Sequence, residues 1–422
     1  MNESWMDNFP RDLINNINLT EEQISDRLLT VDNNILSIQN RILNLFREFN
    51  VSESDLNGST GYGYDDIGRD KLEKIYSKYF KTENALVRPQ IVSGTHAIST
   101  ALFGNLHSGD TLYYVTGMPY DTLQQVIGLV GNNPGSMLEY GIKFKYAKLI
   151  NNGLIDYDVV KQDLMNDDSI KIVVIQRSRG YDTRNSFSVS YIKLIIQFIK
   201  KCRSDVIVFI DNCYGELVET VEPTFFGADL MAGSLCKNIG AGLVKTGGYI
   251  VGKNSLVMNA AARLLIPGVG KEEGATYGYL RDFYQGLFMA PLIVGEAIKG
   301  AIFSASLLSK YRINVSPKWD DFRTDIVQSL IFNDENKMIQ FCKSIQHYSP
   351  INSFVDPIPA KMEGYKDKII MASGSFTEGS TIELSSDGPL RSPYCLYMQG
   401  GLSYAHVKIA VSNAVRDIFY NN

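Results

Sequence analysis

The feature of this sequence that most constrains its fold is a repeated alternation of short apolar strands with helices. The stretch "KIVVI" is apolar at every position after its first residue, and the stretch "VIVFID" is apolar at every position before its last. Strands that are apolar on both faces are typical of a parallel sheet covered by helices on both sides. The segments between them carry apolar residues at helical spacing. The sequence therefore predicts an α/β fold with a mainly parallel sheet.

Other segments extend this unit at both ends. Residues 20–50 have the periodicity of a helix, and Thr20 followed by two glutamates predicts its N-cap. A second long helix is predicted from Gly286 to Tyr311, and hairpin-like strands and a final helix follow it. We expect an N-terminal helical arm (1–60), a large domain (61–313) and a small C-terminal α+β domain (314–422).

Composition restricts the classes of partner. The chain has 422 residues, 45% hydrophobic and 21% charged, with a net charge of -5 and no basic tract, so we expect no nucleic-acid partner. We expect every apolar run to be too short to span a membrane, and the N-terminus does not resemble a secretory signal. The five cysteines include no CxxC pair, which argues against a zinc site or a disulfide framework. We therefore expect a cytoplasmic protein without a metal.

Unusual clusters fall where predicted strands end. In open parallel sheets, ligands bind at the carboxyl ends of the strands. We therefore expect the clusters to lie together around a ligand. The four clusters are Ser93-Gly94-Thr95-His96, Gly117-Met118-Pro119-Tyr120, Asp211-Asn212-Cys213-Tyr214 and Ser234-Leu235-Cys236-Lys237.

Two of these clusters admit a structural and a functional interpretation. The turn containing Gly94 opens a helix, whose free N–H groups and dipole suit a phosphate, although Ser93 would also serve as an ordinary cap. Asp211 ends an apolar strand, where a carboxylate is costly unless it meets a cation or several donors. It is either a loop cap or the partner of a cationic ring nitrogen.

Lys237 follows a strand of small residues and is the candidate nucleophile. Desolvation would lower the pKa of its amine and leave it reactive, whereas a solvated loop lysine is the ordinary alternative. Ser234 is placed to donate to an anion, and Lys245 is the local competitor of Lys237. A phosphate cradle, a carboxylate for a ring nitrogen, a nucleophilic lysine and a stacking aromatic are together what pyridoxal 5'-phosphate (PLP) requires. We predict PLP as the cofactor.

The motifs "GYGYDDIGRDKLE", "SGTHAI", "DNCYGE", "GSLCKN" and "GSFTEGSTIELSSDGPLR" give the chain a wider resemblance. From about residue 61 to 411 it resembles the methionine gamma-lyase-like family often labelled aluminium resistance protein, related to cystathionine beta- and gamma-lyases. This resemblance implies the PLP-dependent transferase fold (fold type I). Its large domain has a mainly parallel seven-stranded sheet between helices.

The resemblance also implies roles for individual residues. Lys237 would form the Schiff base, Asp211 would hold the pyridinium nitrogen and Tyr120 would stack on the ring. The phosphate would lie on the turn that opens the helix, with Ser234 contributing. Tyr214 would approach the ring hydroxyl. The predicted cofactor-binding set is Ser93, Gly94, Thr95, His96, Tyr120, Asp211, Tyr214, Ser234 and Lys237.

The same resemblance suggests residues for the substrate. Tyr62 or Tyr120 would assist a leaving sulfur. Family members carry a Tyr-x-Arg motif that reaches the neighbouring subunit's phosphate, and Arg69 is only a loose match to its arginine. Arg391 is the candidate for the substrate carboxylate, with a surface ion pair as the equal alternative. Gln176 and Arg177 end a strand where a relative would place a residue beside the ring.

These assignments imply a carbon–sulfur lyase acting on methionine, cystathionine or cysteine by β- or γ-elimination, with a keto acid, ammonia and a thiol as products. An aminotransferase would need the same cofactor residues. A non-catalytic stress or metal-tolerance protein that retains the fold is the alternative from another class. Sites of this fold form between two subunits, so we expect a homodimer or homotetramer.

Overall fold

The structure is a computed structural model that describes residues 4–131, 134–150, 153–182, 184–362, 365 and 367–420. The chain divides into two compact units. The first is Ile38–Phe288, and the second joins the chain up to Ser37 with the chain from Met289 onward.

The first unit is built on a seven-stranded sheet. Its strands are β1 (Asn84–Arg88), β2 (Thr111–Tyr114), β3 (Lys143–Tyr146), β6 (Ile170–Gln176), β7 (Ile207–Asp211), β8 (Leu230–Ser234) and β9 (Gly248–Gly252), while β4 (Leu149–Ile150) and β5 (Leu154–Ile155) pair separately. The spatial order is β1-β9-β8-β7-β6-β2-β3. Only β9 runs against its neighbours in this sheet. The predicted mainly parallel seven-stranded sheet is confirmed.

Helices accompany this sheet. They are α2 (Ile67–Tyr79), α3 (Gly94–Asn105), α4 (Asp121–Ile127), α5 (Tyr157–Asn166), α6 (Val189–Cys202) and α7 (Asn254–Leu264). Side-chain caps explain several of their starts, because Asp66, Asp156 and Ser188 accept hydrogen bonds from the first turns of α2, α5 and α6. The central strands β7 and β8 are buried along their full length, which accounts for their apolar composition.

The second unit contains an antiparallel sheet. Its strands are β10 (Asn314–Ser316), β11 (Val327–Ile331), β12 (Ile369–Ala372), β13 (Ser385–Pro389) and β14 (Cys395–Gln399), in the order β10-β11-β14-β13-β12. Two helices, α9 (Glu335–His347) and α10 (Tyr404–Phe419), belong to the same unit. The predicted C-terminal α+β composition, with hairpin-like strands, is therefore present.

Two long helices differ from their predicted forms. Helix α1 covers Arg11–Glu48 and begins well before the predicted N-cap. Thr20 lies inside it and is fully buried, so the capping interpretation of Thr20 is wrong. Helix α8 covers Leu280–Lys310. Both helices continue from one compact unit into the other, and helical periodicity does not reveal such a change. For this reason the compact units do not coincide with the three segments expected from sequence.

Helix α8 also corrects the expectation about apolar runs. By length and composition alone, this one helix is long and apolar enough to cross a membrane, although 67% of its most apolar window is buried inside the protein. A buried core helix passes the same test as a membrane span. The expectation that every apolar run is too short to span a membrane is therefore wrong for α8.

Candidate active site

A pocket opens where the parallel strands β6 and β7 end and the helices α3 and α4 begin. It encloses about 490 Å³, including the part open to solvent. Five residues of the predicted site line it, so the strand-end clusters do meet as expected. The lining residues are Thr95, Ile98, Tyr120, Leu123, Gln176, Ser178, Gly180, Asp211, Cys213, Tyr214 and Lys237.

Lys237 reaches this pocket from the turn after β8. The turn continues as a short 3-10 helix, Asn238–Gly240, and the Lys237 Nζ lies 3.8 Å from the centroid of the Tyr214 ring. A cation at this distance over an aromatic face is attracted by the ring quadrupole. The amine is therefore held inside the pocket rather than solvated on a loop.

The charge state of Lys237 differs from the expectation. Burial lowers the pKa of its amine, but Cys213, Tyr214 and Asp211 act in the opposite direction and outweigh burial. The net result is a raised pKa, so the predicted fall was wrong for the chain alone. Desolvation was correctly anticipated, whereas the acidic neighbours come from a different strand end and are brought close only by the fold. The amine is protonated at neutral pH unless something displaces its proton.

Asp211 ends β7, the strand beside β8 in the sheet. Its side chain is 7% exposed, and Oδ1 accepts a hydrogen bond from the Cys213 backbone N–H at 3.1 Å. Burial raises the pKa of this carboxyl, while Lys237 and the Cys213 hydrogen bonds oppose the rise. A carboxylate held here gains from a cationic partner in the pocket, such as a protonated ring nitrogen.

The beginning of α3 provides the second part of the site. Ser93 Oγ accepts a hydrogen bond from the His96 N–H at 3.1 Å, so the capping interpretation of Ser93 is confirmed. Gly94 packs so closely that a Cβ there would lie 3.0 Å from Cys213 Sγ and 3.3 Å from the Ser234 Cβ. This contact joins the start of α3 to the ends of β7 and β8. The Thr95 hydroxyl lies 2.9 Å from the Thr122 hydroxyl.

Tyr120 lies at the start of α4, the second helix that begins at the pocket. It precedes α4, and its backbone N–H donates to Gln176 Oε1 at 3.1 Å. Its ring meets the Tyr181 ring edge-on at a centroid distance of 5.9 Å. Tyr120 therefore lines the pocket from a fixed backbone position, as a stacking residue must.

These residues fit PLP. A buried carboxylate and an amine lie in one pocket, at the ends of adjacent strands. The tightly packed start of a helix lies beside them, where backbone N–H groups suit a phosphate. Ser93, Gly94, His96 and Ser234 are not among the residues that line the pocket, and their phosphate contacts stay predictions.

Arg177 is not part of this pocket. Its guanidinium is fully buried, and it donates to Asn212 Oδ1 at 2.8 Å, to Glu219 Oε1 at 2.9 Å and to Glu222 Oε2 at 3.3 Å. Those acceptors surround the charge, which leaves it no access to a substrate. The substrate-binding interpretation of Arg177 is therefore wrong. Side chains alternate along an extended chain, so Gln176, the last residue of β6, faces the pocket and Arg177, the next residue, does not.

Arg391 lies in the second compact unit. Its side chain is 55% exposed and its Nη1 lies 2.9 Å from Asp367 Oδ2. This is the surface ion pair that the sequence left open as the alternative to binding a substrate carboxylate.

Three further candidates lie in the first unit but outside the pocket lining. Tyr62 is 74% exposed and stacks on Tyr64 at 5.8 Å. The Lys245 side chain is 70% exposed and pairs with Asp282 at 3.3 Å, which weakens its claim as the reactive lysine. Arg69 is fully buried and donates to the Gly63 carbonyl, so it does not reach outward to a neighbouring phosphate.

Sequence reasoning missed the residues that complete the pocket wall. Cys213 belongs to one of the strand-end clusters but was given no role, and Ser178 follows Arg177 without a signal of its own. Ile98 and Leu123 are ordinary apolar residues of α3 and α4. Within the described ranges no group of three or more His, Cys, Asp or Glu residues is placed to hold a metal ion.

Comparison with known proteins adds a direct assignment. The family model for methionine gamma-lyase matches residues 13–419. The chain belongs to the methionine gamma-lyase family.

Solved structures of this family's relatives agree with the fold. A Clostridium acetobutylicum protein, provisionally named a cystathionine beta-lyase involved in aluminium resistance, is 46% identical with a TM-score of 0.95, and the match covers 98% of this chain and 97% of that one. A carbon–sulfur lyase involved in aluminium resistance from Clostridium novyi NT is 45% identical with a TM-score of 0.92, covering 96% of both chains.

A more distant structure identifies the fold class. It is a provisionally named O-acetylhomoserine (thiol)-lyase from Campylobacter jejuni that contains pyridoxyl-lysine monophosphate. It has a TM-score of 0.54 and 14% identity, and the match covers 81% of this chain and 85% of that one. The chain therefore has the α/β fold of PLP-dependent fold type I enzymes, as predicted.

Proposed function

We propose that this protein is a PLP-dependent carbon–sulfur lyase that cleaves a sulfur amino acid by β- or γ-elimination. The observation that carries the proposal is the placement of Lys237 and Asp211 in one pocket, at the ends of the adjacent strands β8 and β7. Membership of the methionine gamma-lyase family and the names of its solved relatives support the reaction class.

The cofactor would be held by residues already described. Lys237 would bind it covalently, Asp211 would accept a hydrogen bond from its ring nitrogen, and Tyr120 would cover the ring. The start of α3 would bind its phosphate. When bound, PLP supplies an electron-accepting ring that stabilises negative charge on the substrate Cα.

The protein's own groups would then move the protons. Lys237 Nζ, once deprotonated, accepts the proton from the substrate Cα, because it is the amine that reaches into the pocket. The acidic neighbours that raise its pKa favour this acceptance. Tyr120 lines the same pocket and can donate a proton to a departing sulfur. One water molecule is consumed, and the products are a keto acid, ammonia and a thiol, or hydrogen sulfide when the substrate is cysteine.

Tyr62 has a different place in this proposal. Its exposed side chain does not line the pocket of its own chain. A role for Tyr62 at a leaving sulfur therefore requires a second copy of the chain, and self-association as a homodimer or homotetramer belongs to the proposal. A cytoplasmic location also stays a prediction, and all five cysteines are free thiols.

The test begins with the visible spectrum of purified protein after addition of PLP. We expect an absorption band of lysine-linked cofactor in the wild type and in Lys245→Ala, and its loss in Lys237→Ala. Loss in Lys245→Ala alone would contradict the lysine assignment. No band in the wild type would contradict the whole proposal.

Product analysis then tests the reaction. We expect cystathionine or methionine to yield a keto acid together with free ammonia and a thiol, and cysteine to yield a keto acid, ammonia and hydrogen sulfide. A keto acid formed only when a second keto acid accepts the amino group, without thiol, would identify an aminotransferase. A cofactor band with no product from any sulfur amino acid would favour the non-catalytic alternative.

A further inference from the structure

A buried carboxyl group lies outside the pocket residues and has no part in the reaction described above. Glu216 is fully buried, and its Oε1 accepts a hydrogen bond from the Tyr249 hydroxyl at 2.9 Å. Among the described residues its Oε2 has no hydrogen-bond partner. A buried carboxyl with a single side-chain donor is costly to ionise, and such an arrangement needs a reason.

The backbone around Glu216 is tied directly to the turn that carries Lys237. Asn238, the residue after Lys237, donates from Nδ2 to the Tyr214 carbonyl and to the Glu216 carbonyl, both at 2.9 Å. These two bonds hold the loop after β7 against the turn after β8. The backbone of the loop that carries Glu216 is therefore held close to the backbone of the turn that carries Lys237.

Strand β8 makes room for the Glu216 carboxyl. A Cβ at Gly233 would overlap Glu216 Oε1 and would lie 2.6 Å from the Tyr249 hydroxyl. Gly233 precedes Ser234 at the end of the strand that leads to Lys237. Glycine at position 233 thus leaves the space that the Glu216 carboxyl occupies against this strand.

The electrostatic environment of Glu216 is coupled to Lys237. Burial is the main cause that raises the pKa of Glu216, to about 8, and the charge of Lys237 opposes the rise. In return, ionised Glu216 raises the pKa of Lys237. The titratable and charged groups that interact with Glu216 are Tyr76 from α2, Cys213 and Glu222 from the chain after β7, Lys237 after β8 and Tyr249 from β9.

We propose that Glu216 is a positioning residue that stores a proton behind the active-site lysine and sets the proton affinity of Lys237 Nζ. Above about pH 8 an ionised Glu216 stabilises the Lys237 ammonium inside the protein. Below that pH Glu216 keeps its own proton and leaves no unpaired buried charge. This role deepens the proposed lyase function and rests on it, because Lys237 must gain and lose a proton during elimination.

The first experiment uses the cofactor-free protein, so its result does not depend on lyase activity. Infrared spectroscopy follows the carbonyl band of protonated carboxylic acids as the pH is raised from 6 to 9. We expect a band that disappears around pH 8 in the wild type and is missing in Glu216→Gln. The substitution keeps an oxygen that can accept the Tyr249 hydrogen bond. Retention of the same band in Glu216→Gln would overturn the proposal.

The second experiment measures the pH dependence of Lys237 acetylation by acetic anhydride, with the modified peptide quantified by mass spectrometry. We expect the midpoint to fall by about one pH unit in Glu216→Gln, since an ionised neighbour that raises the lysine pKa has been removed. An unchanged midpoint would show that Glu216 does not act on Lys237. In the PLP-loaded enzyme, the pH at which the visible band changes should also be lower in Glu216→Gln than in the wild type.

Glu222→Gln is the matched control. Glu222 is also a fully buried glutamate, but its side chain accepts hydrogen bonds from Arg177, Asn212 and the Leu217 N–H. We expect the midpoint pH of Lys237 acetylation in this variant not to fall below that of the wild type. An equal fall in both variants would assign the effect to general loosening of the core and overturn the specific role of Glu216.

Tyr249→Phe decides the question if Glu216→Gln does not fold, as judged by circular dichroism. Loss of the hydroxyl removes a hydrogen bond that lowers the pKa of Glu216. We therefore expect the carboxylic acid band to persist to higher pH and the Lys237 midpoint to fall. No change in either measurement would contradict the proposal.

Discussion

The amine of Lys237 lies 3.8 Å from the centre of the Tyr214 ring, although the two residues come from the ends of different strands. Tyr214 adopts a left-handed backbone conformation, with φ of 73°. This conformation is uncommon for a residue with a side chain, and it turns the chain just after Asp211. The aromatic ring is therefore placed to hold the lysine inside the pocket.

The first prediction concerns this ring. Tyr214→Leu removes a cation–π contact worth about 1 kcal/mol, so acetylation of Lys237 in the cofactor-free protein at neutral pH should become about fivefold faster. Tyr214→Phe keeps the ring and should stay within about twofold of the wild type. Quantitative mass spectrometry of the modified peptide measures both rates. Equal acceleration in the two variants would show that the hydroxyl, rather than the ring, restrains the lysine.

The second prediction concerns the close packing of Gly94. In Gly94→Ala the new methyl group would press on Cys213 Sγ at 3.0 Å and displace the start of α3. We expect a loss of about 1–3 kcal/mol in the free energy of unfolding, together with weaker retention of PLP. Cys213→Ala removes the nearest atom, so the double variant should recover part of the loss. Strictly additive effects would show that the two residues do not interact.

The third prediction compares two arginines that the sequence assigned to the substrate. Arg177→Met leaves Glu219 and Glu222 buried without their cation and should cost about 3–5 kcal/mol of unfolding free energy. Arg391→Ala breaks a surface ion pair and should cost less than about 1 kcal/mol. Urea denaturation of each variant measures the difference. A small loss for Arg177→Met would mean that its carboxylate partners become neutral or hydrated at little cost.

The fourth prediction follows from the pKa of Glu216. Burial raises this pKa from the ordinary 4.5 to about 8, so between these values the folded protein binds a proton that the unfolded chain releases. The stabilisation from the protonated group is complete below pH 4.5 and is lost as the pH rises through 8. Relative to Glu216→Gln, wild-type protein should lose about 1.4 kcal/mol per pH unit within this window.

Urea unfolding of the cofactor-free proteins at pH 5, 6, 7 and 8 checks this slope. Comparison with Glu216→Gln is necessary because burial also raises the pKa of Glu222 and of Asp211, which add slopes of the same sign. Parallel curves for wild type and variant would mean that Glu216 is ionised in the folded protein throughout this pH range.

Much of the fold was predictable because its determinants are local. Continuous apolar runs such as that of β7 identify strands buried on both faces, and the alternation with helices leaves few arrangements of a parallel sheet. The strand ends that bear Asp211 and Lys237 could be found in the same way, since ligands of such sheets bind at the carboxyl ends. The seven strands and the pocket at their ends agree with that reasoning.

The boundaries of the long helices were less predictable. An acidic pair after Thr20 is a local capping signal, but the surrounding residues continue the apolar stripe of α1 and tertiary packing buries Thr20 completely. Helix α8 is apolar enough to cross a membrane, but most of its most apolar window is buried within the protein. Local patterns do not specify which surface covers a helix.

The sequence by itself determined the strand–helix order, the clusters at the strand ends and membership of the methionine gamma-lyase family. Only the tertiary structure decided that Arg177 is enclosed by carboxylates, that the acidic neighbours of Lys237 raise its pKa, and that Glu216 lies buried behind the same strand. The physical reason is that charge states and access depend on distances between residues far apart in the chain. Burial removes water from all of them together, and the balance between desolvation and neighbouring charge is set only when the strands have assembled.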